Sequence, residues 1–321
     1  MKRICLIGGD GFIGSSLKKH LPLNDYKISN FDKYNRNNYK NFFKGDVKSP
    51  SDLESCFENG FDCLINLAAE HRDDVTPITL YFDTNVQGAI NICEKARIFN
   101  INKIIFISSV AVYGFSSKPC DEDSATNPFN EYGKTKLKAE KVYKNWLEED
   151  PLNRTLTIIR PTAVFGKNNR GNIYNLINQI RKTSFFMIGS GKNKKSIAYV
   201  ENLSSFIAHS ISFSNGLHIY NYVDKPDFSM IDMIKLIKKT LYIKNKITIK
   251  IPYFFALIST FFIDIFSRIF NVKFSISSIR VKKFCSDSLF NTKVKNSGFK
   301  PPFDIEEALK KTIQYEFKKN S

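Results

Sequence analysis

Short apolar runs alternate with longer amphipathic stretches along the first half of the chain. The runs predict β-strands, which we place near residues 3–8, 26–31, 62–67, 103–108 and 155–160. The stretches between them show the spacing of helices, most clearly over 84–99 and 131–148. Because strands that alternate with helices pair in parallel, this order predicts an α/β fold with a doubly wound parallel sheet.

The alternation breaks after Gly166, where a polar loop over 167–172 leads into a helix that ends near Lys182. We expect the chain to return to the sheet around Ser196–Asn202 and again at Leu217–Val223, and then to end in helical segments. This pattern predicts two interleaved parts without a linker. The larger part is a sheet domain over 1–166, to which the chain returns near 196–223. The smaller part is a mostly helical C-terminal subdomain over 167–195 and 224–321.

Residues 252–270 form a strongly amphipathic pattern. The apolar positions fall on one helical stripe, made of Phe254, Phe255, Ile258, Phe261, Phe262, Ile265, Phe266 and Ile269. The polar residues that face away from it are Ser259, Thr260, Asp264, Ser267 and Arg268. A helix of this kind either lies in a membrane interface or packs inside the smaller subdomain, and the sequence leaves both open.

Composition adds a strongly basic balance to this picture. The 321 residues carry a net charge of +17, with a pI near 9.5. Such a charge favours an anionic partner, which is a nucleotide cofactor, a diphosphate-bearing substrate or the acidic face of a membrane. Because we find no recognised nucleic-acid-binding module, we expect no nucleic-acid partner. The sequence does not determine the oligomeric state, and a homodimer is one of the states it allows.

Cysteine and histidine usage favours a reducing compartment and no metal. The six cysteines show no close pairing, and Cys5 lies in the first predicted strand, so we expect buried thiols rather than disulfides. The four histidines are scattered and form no metal-binding motif. Only four apolar residues precede the first glycines, and no run reaches the roughly 18 apolar residues of a spanning helix. We therefore expect the protein to stay in the cytoplasm. The basic charge and the amphipathic stretch 252–270 favour a peripheral position on the inner face of the cell membrane.

The first predicted strand runs directly into a glycine-rich turn. Gly8 permits a tight turn, Gly11 lets backbone N–H groups approach a pyrophosphate, and Gly14 lets the next helix pack on the strand. Phe12 and Ile13 open that helix and belong to the same anion-binding turn. The pattern predicts a Rossmann-type domain that binds a dinucleotide.

Acidic residues near the ends of the next strands indicate which dinucleotide. Asp32 follows the second predicted strand, where a carboxylate accepts hydrogen bonds from free ribose hydroxyls and repels a 2′-phosphate. NAD is therefore favoured over NADP, although Lys33 and Arg36 soften that preference. Asp46 and the adjoining Val47 lie at the end of a third strand, near the adenine.

Hydroxyl groups and a lysine form the candidate catalytic set. Ser108 and Ser109 end a buried strand, at the sheet edge where ligands bind in such folds. Tyr132 and Lys136 lie one turn apart on a predicted helix and share one face. The lysine ammonium is expected to lower the pKa of the Tyr132 phenol toward neutrality, so that Tyr132 acts as base and acid while Ser109 steers the proton.

These residues resemble the extended short-chain dehydrogenase/reductase family, particularly its nucleotide-sugar epimerases. The resemblance spans the chain and rests on Gly8, Gly11, Gly14, Asp32, Asp46, Asn66-Leu67-Ala68-Ala69, Asn85-Val86-Gln87-Gly88, Ser109, Tyr132 and Lys136. It implies that Asn85 helps to order the active-site helix and its water network, and that Pro161 shapes a loop against the nicotinamide. The other implied cofactor contacts are Val47, Leu67, Ala68, Ala69, Ser108, Tyr132 and Lys136.

The resemblance also implies a binding site for a diphospho-sugar. Asn172, Lys195 and Arg280 are expected to contact phosphate. His71 and Arg72, just past a predicted strand end, either contact sugar or phosphate or lie in a solvated loop.

One departure from a sister group narrows the reaction. The sugar 4,6-dehydratases of this family carry an Asp-Glu pair directly after the catalytic hydroxyl residue, and this chain has Val110 and Ala111 there. Dehydration therefore lacks its acid and base. The remaining reactions are epimerisation and one-way reduction of a keto sugar.

Longer stretches, at 68–75, 169–176, 220–226 and 280–285, resemble the branch that inverts an N-acetylamino sugar on an undecaprenyl diphosphate carrier in bacterial O-antigen assembly. This resemblance implies interconversion of N-acetylglucosaminyl- and N-acetylgalactosaminyl-diphospho-undecaprenol by transient oxidation at C4. A UDP-N-acetylglucosamine 4-epimerase, a nucleotide-sugar 4-keto reductase and a non-catalytic NAD-sensing scaffold are the alternatives.

Overall fold

The computed structural model describes residues 1–22, 24–72, 75–182, 185–243, 248–270 and 278–317. The strands are β1 Lys2–Ile7, β2 Tyr26–Asp32, β3 Phe42–Lys44, β4 Cys63–Asn66, β5 Lys103–Ile107, β6 Thr155–Pro161, β7 Ala163–Phe165, β8 Phe185–Ile188, β9 Lys194–Tyr199, β10 Gly216–Tyr222, β11 Asp224–Ser229 and β12 Thr248–Ile251. The α-helices are α1 Phe12–His20, α2 Pro50–Phe57, α3 Thr79–Phe82, α4 Gly88–Ile98, α5 Glu131–Glu148, α6 Asn172–Lys182, α7 Val200–Ser210, α8 Met230–Thr240, α9 Tyr253–Phe270, α10 Ser278–Cys285 and α11 Ile305–Phe317. Shorter turns of other helix types are the π-helical Asp83–Gln87 and the 3-10 turns Val110–Tyr113 and Val294–Ser297.

Seven parallel strands form the central sheet, in the order β10-β6-β5-β4-β1-β2-β3. This arrangement confirms the predicted doubly wound α/β class. The strand order reverses between β1 and β4, and ligands of such sheets bind in the crevice that this reversal opens at the carboxyl ends. The chain segments after β1, β4, β5 and β6 therefore meet at one edge.

Helices cover both faces of this sheet. On one face α2, α4 and α5 pack on the strands, and the α5 side chains Tyr143 and Trp146 are fully buried. On the other face α1 and α7 do the same through residues such as Leu17 and Phe206. Because both faces are covered, the parallel strands are apolar almost throughout, which is why Ile104–Ile107 could be predicted as a buried strand. The cysteines are free thiols, and all but Cys285 are buried.

One predicted return to the main sheet is wrong and the other is confirmed. The strand near Ser196–Asn202, β9, does not rejoin the central sheet but lies in a separate three-stranded sheet of order β11-β9-β7. The chain leaves the main sheet just after Pro161, and the next strand, β7, pairs in parallel with β9. The other edge of β9 pairs with β11. The second return, β10, pairs in parallel with β6 at the edge of the central sheet.

A second hydrophobic cluster lies over the small sheet. Side chains of α6, α8 and α11 pack there, including Ile177, Ile237 and Leu309, which are at most 1% exposed. A two-stranded parallel sheet of β8 and β12 lies beside it. This cluster is separate from the two that flank the central sheet.

The amphipathic segment 252–270 forms helix α9, with its described apolar stripe exposed. Phe254, Phe255, Phe261 and Phe262 are 68, 62, 59 and 64% exposed, whereas Ala256 and Thr260 on the opposite side are buried. Of the two alternatives that the sequence left open, internal packing is therefore not observed for this part of the stripe. The side chains of 264–270 lie outside the described residues. Within the described part of the chain, no helix combines the length and the hydropathy that crossing a membrane requires.

Candidate active site

The turn after β1 has the shape of a pyrophosphate cradle. Gly8 has φ +77°, and a Cβ there would lie 2.7 Å from the backbone nitrogen of Ala68, so only glycine fits. A Cβ on Gly14 would lie 2.5 Å from the carbonyl oxygen of Gly9, which shows how closely α1 approaches the turn. Gly11 is the N-cap of α1, and no described side chain caps that end of the helix. The backbone N–H groups of the first turn of α1 are therefore left to bind an anion. Phe12 and Ile13 contribute the first of them. The residues therefore fit a dinucleotide.

Carboxylates organise the same turn from the side of β2. Asp32 accepts hydrogen bonds from the backbone N–H groups of Asp10, at 3.0 Å, and Lys33, at 2.7 Å. Asp10 is itself 7% exposed and bonds Lys18 at 2.6 Å and Asn30 at 2.9 Å. Burial raises the pKa of Asp10, but hydrogen bonds from Lys18 and Asn37 outweigh it, so the pKa is lowered. Sequence reasoning missed Asp10, although an acidic residue inside a glycine turn marks the position.

Asp46 and Val47 lie just past β3, at the same edge of the sheet. Asp46 forms ion pairs with Lys33 at 3.0 Å and Lys48 at 3.6 Å. Burial raises the pKa of Asp46, but the hydrogen bonds from Lys33 and from the backbone N–H of Lys48 have the larger effect. The pKa of Asp46 is therefore lowered. Val47 is buried against Gly88, where a Cβ would meet the Val47 side chain at 2.8 Å.

The opposite wall of the crevice is the segment after β4. The backbone N–H of Leu67 donates to the carbonyl of Ile7 at 2.8 Å, which joins the two strands where their order reverses. Asn66 accepts from the backbone N–H of Ala68 at 3.0 Å and donates to the hydroxyl of Tyr143 at 2.7 Å. These bonds fix the segment from Leu67 through Ala69 directly against the glycine turn.

Asn85 joins this wall to the catalytic helix. Its Oδ1 accepts from the backbone N–H of Glu70 at 2.9 Å, and its Nδ2 donates to the carbonyl of Glu70 and to Thr135 Oγ1, both at 3.0 Å. Thr135 lies on α5 between Tyr132 and Lys136. Asn85 belongs to the π-helical turn Asp83–Gln87, a type of helix found often at functional sites. It is thus placed to order α5, the role that the resemblance implied.

Local packing brings Ser109 to Tyr132. Ser109 caps the 3-10 turn after β5, where its Oγ accepts from the backbone N–H of Ala111 at 3.1 Å. Asn130 caps α5, because its Oδ1 accepts from the backbone N–H of Gly133 at 3.0 Å. A Cβ on Gly133 would lie 2.5 Å from the Ala111 carbonyl, so the first turn of α5 packs tightly on the Ser109 turn.

The electrostatics of Tyr132 and Lys136 differ from the expectation. Burial raises the pKa of Tyr132, and a hydrogen bond with Ser109 opposes that rise only in part. Lys136 is 2% exposed; burial lowers its pKa to about 7, against the opposing charge of Glu140. Its ammonium donates to the carbonyl of Ile107 at 2.7 Å, not to Tyr132. The predicted lowering of the Tyr132 pKa is therefore wrong for this structure, because Lys136 is desolvated and bonded elsewhere.

A buried polar network under α5 was missed by the sequence analysis. Glu140, one turn beyond Lys136, accepts two hydrogen bonds from Arg160, at 2.9 and 2.6 Å, and one from Ser108 at 2.6 Å. Arg160 also donates to the hydroxyl of Tyr113 at 2.7 Å. An arginine inside an otherwise apolar strand, and a glutamate on the helix face of Lys136, could have indicated it. Pro161, next to Arg160, ends β6 and is buried opposite Tyr222.

The residues expected to contact substrate are more scattered. His71 and Arg72 are exposed, and the carboxylate of Glu70 accepts from the backbone N–H of His71 at 3.2 Å and from Arg72 Nε at 3.4 Å. Asn172 begins α6 and is exposed. Lys195 donates to backbone carbonyls of 283 and 286, each at 2.7 Å, and burial lowers its pKa to about 8. Arg280 belongs to α10, but its side chain lies outside the described residues.

The crevice thus joins a dinucleotide cradle to a hydroxyl–phenol–ammonium set that can move a proton. The chain matches the NAD dependent epimerase/dehydratase family over residues 4–222 and belongs to that family, whose cofactor is NAD. It is 43% identical over 98% of its length to an N-acetyl-alpha-D-glucosaminyl-diphospho-ditrans,octacis-undecaprenol 4-epimerase from Escherichia coli O157:H7, 95% of which is covered.

Solved structures share the fold over nearly the whole chain. A UDP-glucose 4-epimerase from Thermotoga maritima superposes with a TM-score of 0.79 at 19% identity, covering 99% of this chain and 100% of that one. A UDP-glucuronic acid 4-epimerase from Bacillus cereus, solved with NAD, gives 0.77 at 18% identity, with 98% of each chain covered. The mostly helical C-terminal region is included in both superpositions.

Proposed function

We propose that the protein is an NAD-dependent isomerase that inverts C4 of N-acetylglucosamine carried on undecaprenyl diphosphate, giving the N-acetylgalactosaminyl form for surface polysaccharide assembly. The observation that carries the reaction type is the placement of Ser109, Tyr132 and Lys136 beside the glycine cradle. Similarity to the Escherichia coli enzyme over nearly the whole length of both chains supports the lipid-linked substrate.

The residues of the chain divide the proton chemistry between them. Tyr132 accepts the proton of the sugar 4-hydroxyl and returns it when the opposite configuration forms, and Ser109 holds the same oxygen by a hydrogen bond. Because the Tyr132 phenol is protonated at neutral pH, it takes the substrate proton only as its own phenolic proton passes to Lys136, whose pKa of about 7 leaves its amine able to accept one. To do so, the Lys136 amine must exchange its bond to the Ile107 carbonyl. NAD, when bound, supplies the reversible oxidation and reduction of the sugar carbon. The keto sugar must turn within the site to present its other face.

The cofactor would be held along the carboxyl edge of the central sheet. The pyrophosphate half of the site comprises Gly8, Gly11, Phe12, Ile13 and Gly14, and the adenosine half comprises Asp32, Asp46 and Val47. The nicotinamide half comprises Leu67, Ala68, Ala69, Asn85, Ser108, Tyr132, Lys136 and Pro161.

The diphospho-sugar would lie between this edge and the smaller subdomain over 167–195 and 224–321. We assign it the substrate-binding residues His71, Arg72, Ser109, Asn172, Lys195 and Arg280. The two cations Arg72 and Lys195 already have partners in the structure, since Glu70 pairs with Arg72 and backbone carbonyls accept from Lys195. Phosphate contact by Lys195 therefore requires that its ammonium exchange those bonds.

The protein would act at the inner surface of the cell membrane. The exposed phenylalanines of α9 present an apolar surface, and the net charge of +17 is attracted by anionic lipids. A substrate whose diphosphate lies among the headgroups is reached from that position. Both features support a peripheral location.

The test is to incubate purified protein with lipid-linked N-acetylglucosamine and, separately, with UDP-N-acetylglucosamine, each without added NADH. We expect conversion of the lipid-linked sugar. Conversion of the nucleotide sugar alone would make the protein a UDP-N-acetylglucosamine 4-epimerase and overturn the lipid assignment. Reduction of a 4-keto sugar with stoichiometric consumption of NADH, without conversion of either N-acetylglucosamine substrate, would make it a keto reductase. No conversion in any of these assays with NAD bound would leave a sensing scaffold.

A further inference from the structure

A cavity of about 510 Å³ opens between the loop after the Ser109 turn, the segment after β8, the first residue of α9 and the last turn of α10. Its volume falls in the usual range of small-molecule sites. The lining residues that matter here are Phe115, Ile188, Tyr253, Lys282, Cys285 and Ser286. The lining thus combines aromatic and aliphatic surface with one cation and with the polar groups of Ser190, Asn193 and Ser286.

Hydrogen bonds fix the α10 side of this cavity. Cys285 Sγ donates to the carbonyl of Ile188 at 3.5 Å, which ties the end of α10 to β8. Asn193 donates to the carbonyl of Phe284 at 2.8 Å, and Lys195 binds the Ser286 carbonyl at 2.7 Å. β8, β9 and the loop between them therefore hold the end of α10 in place.

The Phe115 wall begins at the catalytic rim. Phe115 stacks on Phe129 with a centroid separation of 4.4 Å, and both rings are exposed, by 51 and 39%. Phe129 precedes Tyr132 by three residues, so their Cα atoms are at most about 11 Å apart. Lys283 Nζ lies 5.9 Å from the Phe129 ring. Aromatic surface and a cation thus border the place where the sugar reacts.

The opposite end of the cavity meets the exposed helix. Tyr253 is both a cavity residue and the first residue of α9, and Phe254 and Phe255 follow it with their rings in solvent. Apolar surface therefore continues from the catalytic rim, through the cavity, to the helix that faces the membrane in the proposed function. Lys282 and Lys283 lie beside this path and are exposed.

We propose that this cavity binds the isoprene units of the lipid carrier that lie next to the diphosphate. The inference rests on the proposed function and names the part of the substrate that the cavity selects. An apolar chain that leaves the bilayer at α9 would pass Tyr253, pack on Phe115, and place its diphosphate near Lys282 and Lys283. The enzyme would then recognise lipid-linked sugar by its tail as well as by its sugar.

The test uses soluble short-chain substrates, without vesicles or detergent, so that membrane binding plays no part. N-acetylglucosamine diphosphate is linked either to methyl or to a two-isoprene chain, and kcat/KM is compared. We expect the two-isoprene substrate to be preferred by roughly tenfold or more, given the apolar area it buries. Equal kcat/KM for the two would overturn the proposal.

Variants then locate the effect. Phe115→Ser should remove most of the preference while leaving kcat/KM for the methyl substrate near wild type, and Phe115→Leu should retain it. Leu152→Ser is the matched control, because Leu152 is 83% exposed and distant in sequence from the cavity residues. A Phe115→Ser enzyme with full preference would contradict the proposal. Failure of the proposed function gives a different result. UDP-N-acetylglucosamine would then react, whereas neither the methyl-linked nor the isoprene-linked N-acetylglucosamine diphosphate would.

Discussion

Arg160 on β6 and Glu140 on α5 form a bidentate ion pair, with N–O distances of 2.9 and 2.6 Å, one helical turn beyond Lys136. Both side chains are at most 4% exposed. The charge of Glu140 raises the pKa of Lys136 against the stronger effect of burial. The pair therefore links the stability of the core under α5 to the proton affinity of the catalytic lysine.

Replacing Glu140 with glutamine should have two separable effects. Arg160 would be left as a buried cation without its partner, so unfolding free energy should fall by about 3–5 kcal/mol in a denaturant titration. The pKa of Lys136 should fall further, because the opposing charge is gone, and the pH at which activity rises should move to lower values. The double variant with Arg160→Met should recover stability and keep the shifted pH profile. An unshifted profile in folded Glu140→Gln would contradict the link.

The pH dependence of the wild type follows from the Tyr132 and Lys136 pair. Tyr132 has a raised pKa and Lys136 one of about 7, so the pair first loses a proton from Lys136, near neutrality. Activity should therefore be low below that pKa and increase as the pH rises through about 7. We expect Lys136→Met to lose this limb and to lower kcat by roughly 10²–10⁴-fold. Tyr132→Phe should abolish interconversion while NAD stays bound, and an active Phe variant would refute the role of Tyr132.

Substitution in the glycine turn should act on cofactor binding. In Gly8→Ala the new Cβ would lie 2.7 Å from the Ala68 backbone, so the turn and the segment after β4 must move apart. We expect the purified variant to lose its bound NAD, measured by absorbance and mass after denaturation. Gly298→Ala is the control, because Gly298 has a similar φ of +78° but open space around it. That change should cost only about 1–2 kcal/mol of stability and leave NAD bound. NAD retention by Gly8→Ala would contradict the cradle.

The elements that the sequence predicted best are those whose patterns are local. Helix α5 spans Glu131–Glu148, as the periodicity over 131–148 predicted, and each of the five strands has a counterpart within one or two residues. The glycine turn and the Tyr132–Lys136 spacing are local as well. Such features are set by side chains close in sequence, so one sequence is enough to find them.

What the sequence could not predict depends on contacts between distant segments. The sheet that β9 joins is decided by β7 and β11, and no property of residues 194–199 alone distinguishes it. The pKa of Lys136 depends on how deeply α5 is buried, and its ammonium is bonded by Ile107 on another element. Exposure of the α9 phenylalanines likewise depends on where the helix lies in the fold. The sequence pattern of an apolar stripe is the same whether the stripe packs in a core or lies on the surface.

The exposed stripe of α9 makes the membrane assignment testable. Changing Phe254, Phe255, Phe261 and Phe262 to serine should lower binding to vesicles that contain anionic lipid by well over tenfold in a sedimentation assay, because each ring otherwise buries apolar area in the interface. These side chains are in solvent in the structure, so the variant should fold and hold NAD like the wild type. Raising the salt concentration should weaken binding of both proteins through the lysines, but only the wild type should retain an apolar component. Vesicle binding that survives the four substitutions would rule out α9 as the anchor, and a monomer replacing a dimer would show that the stripe contacts a second copy instead.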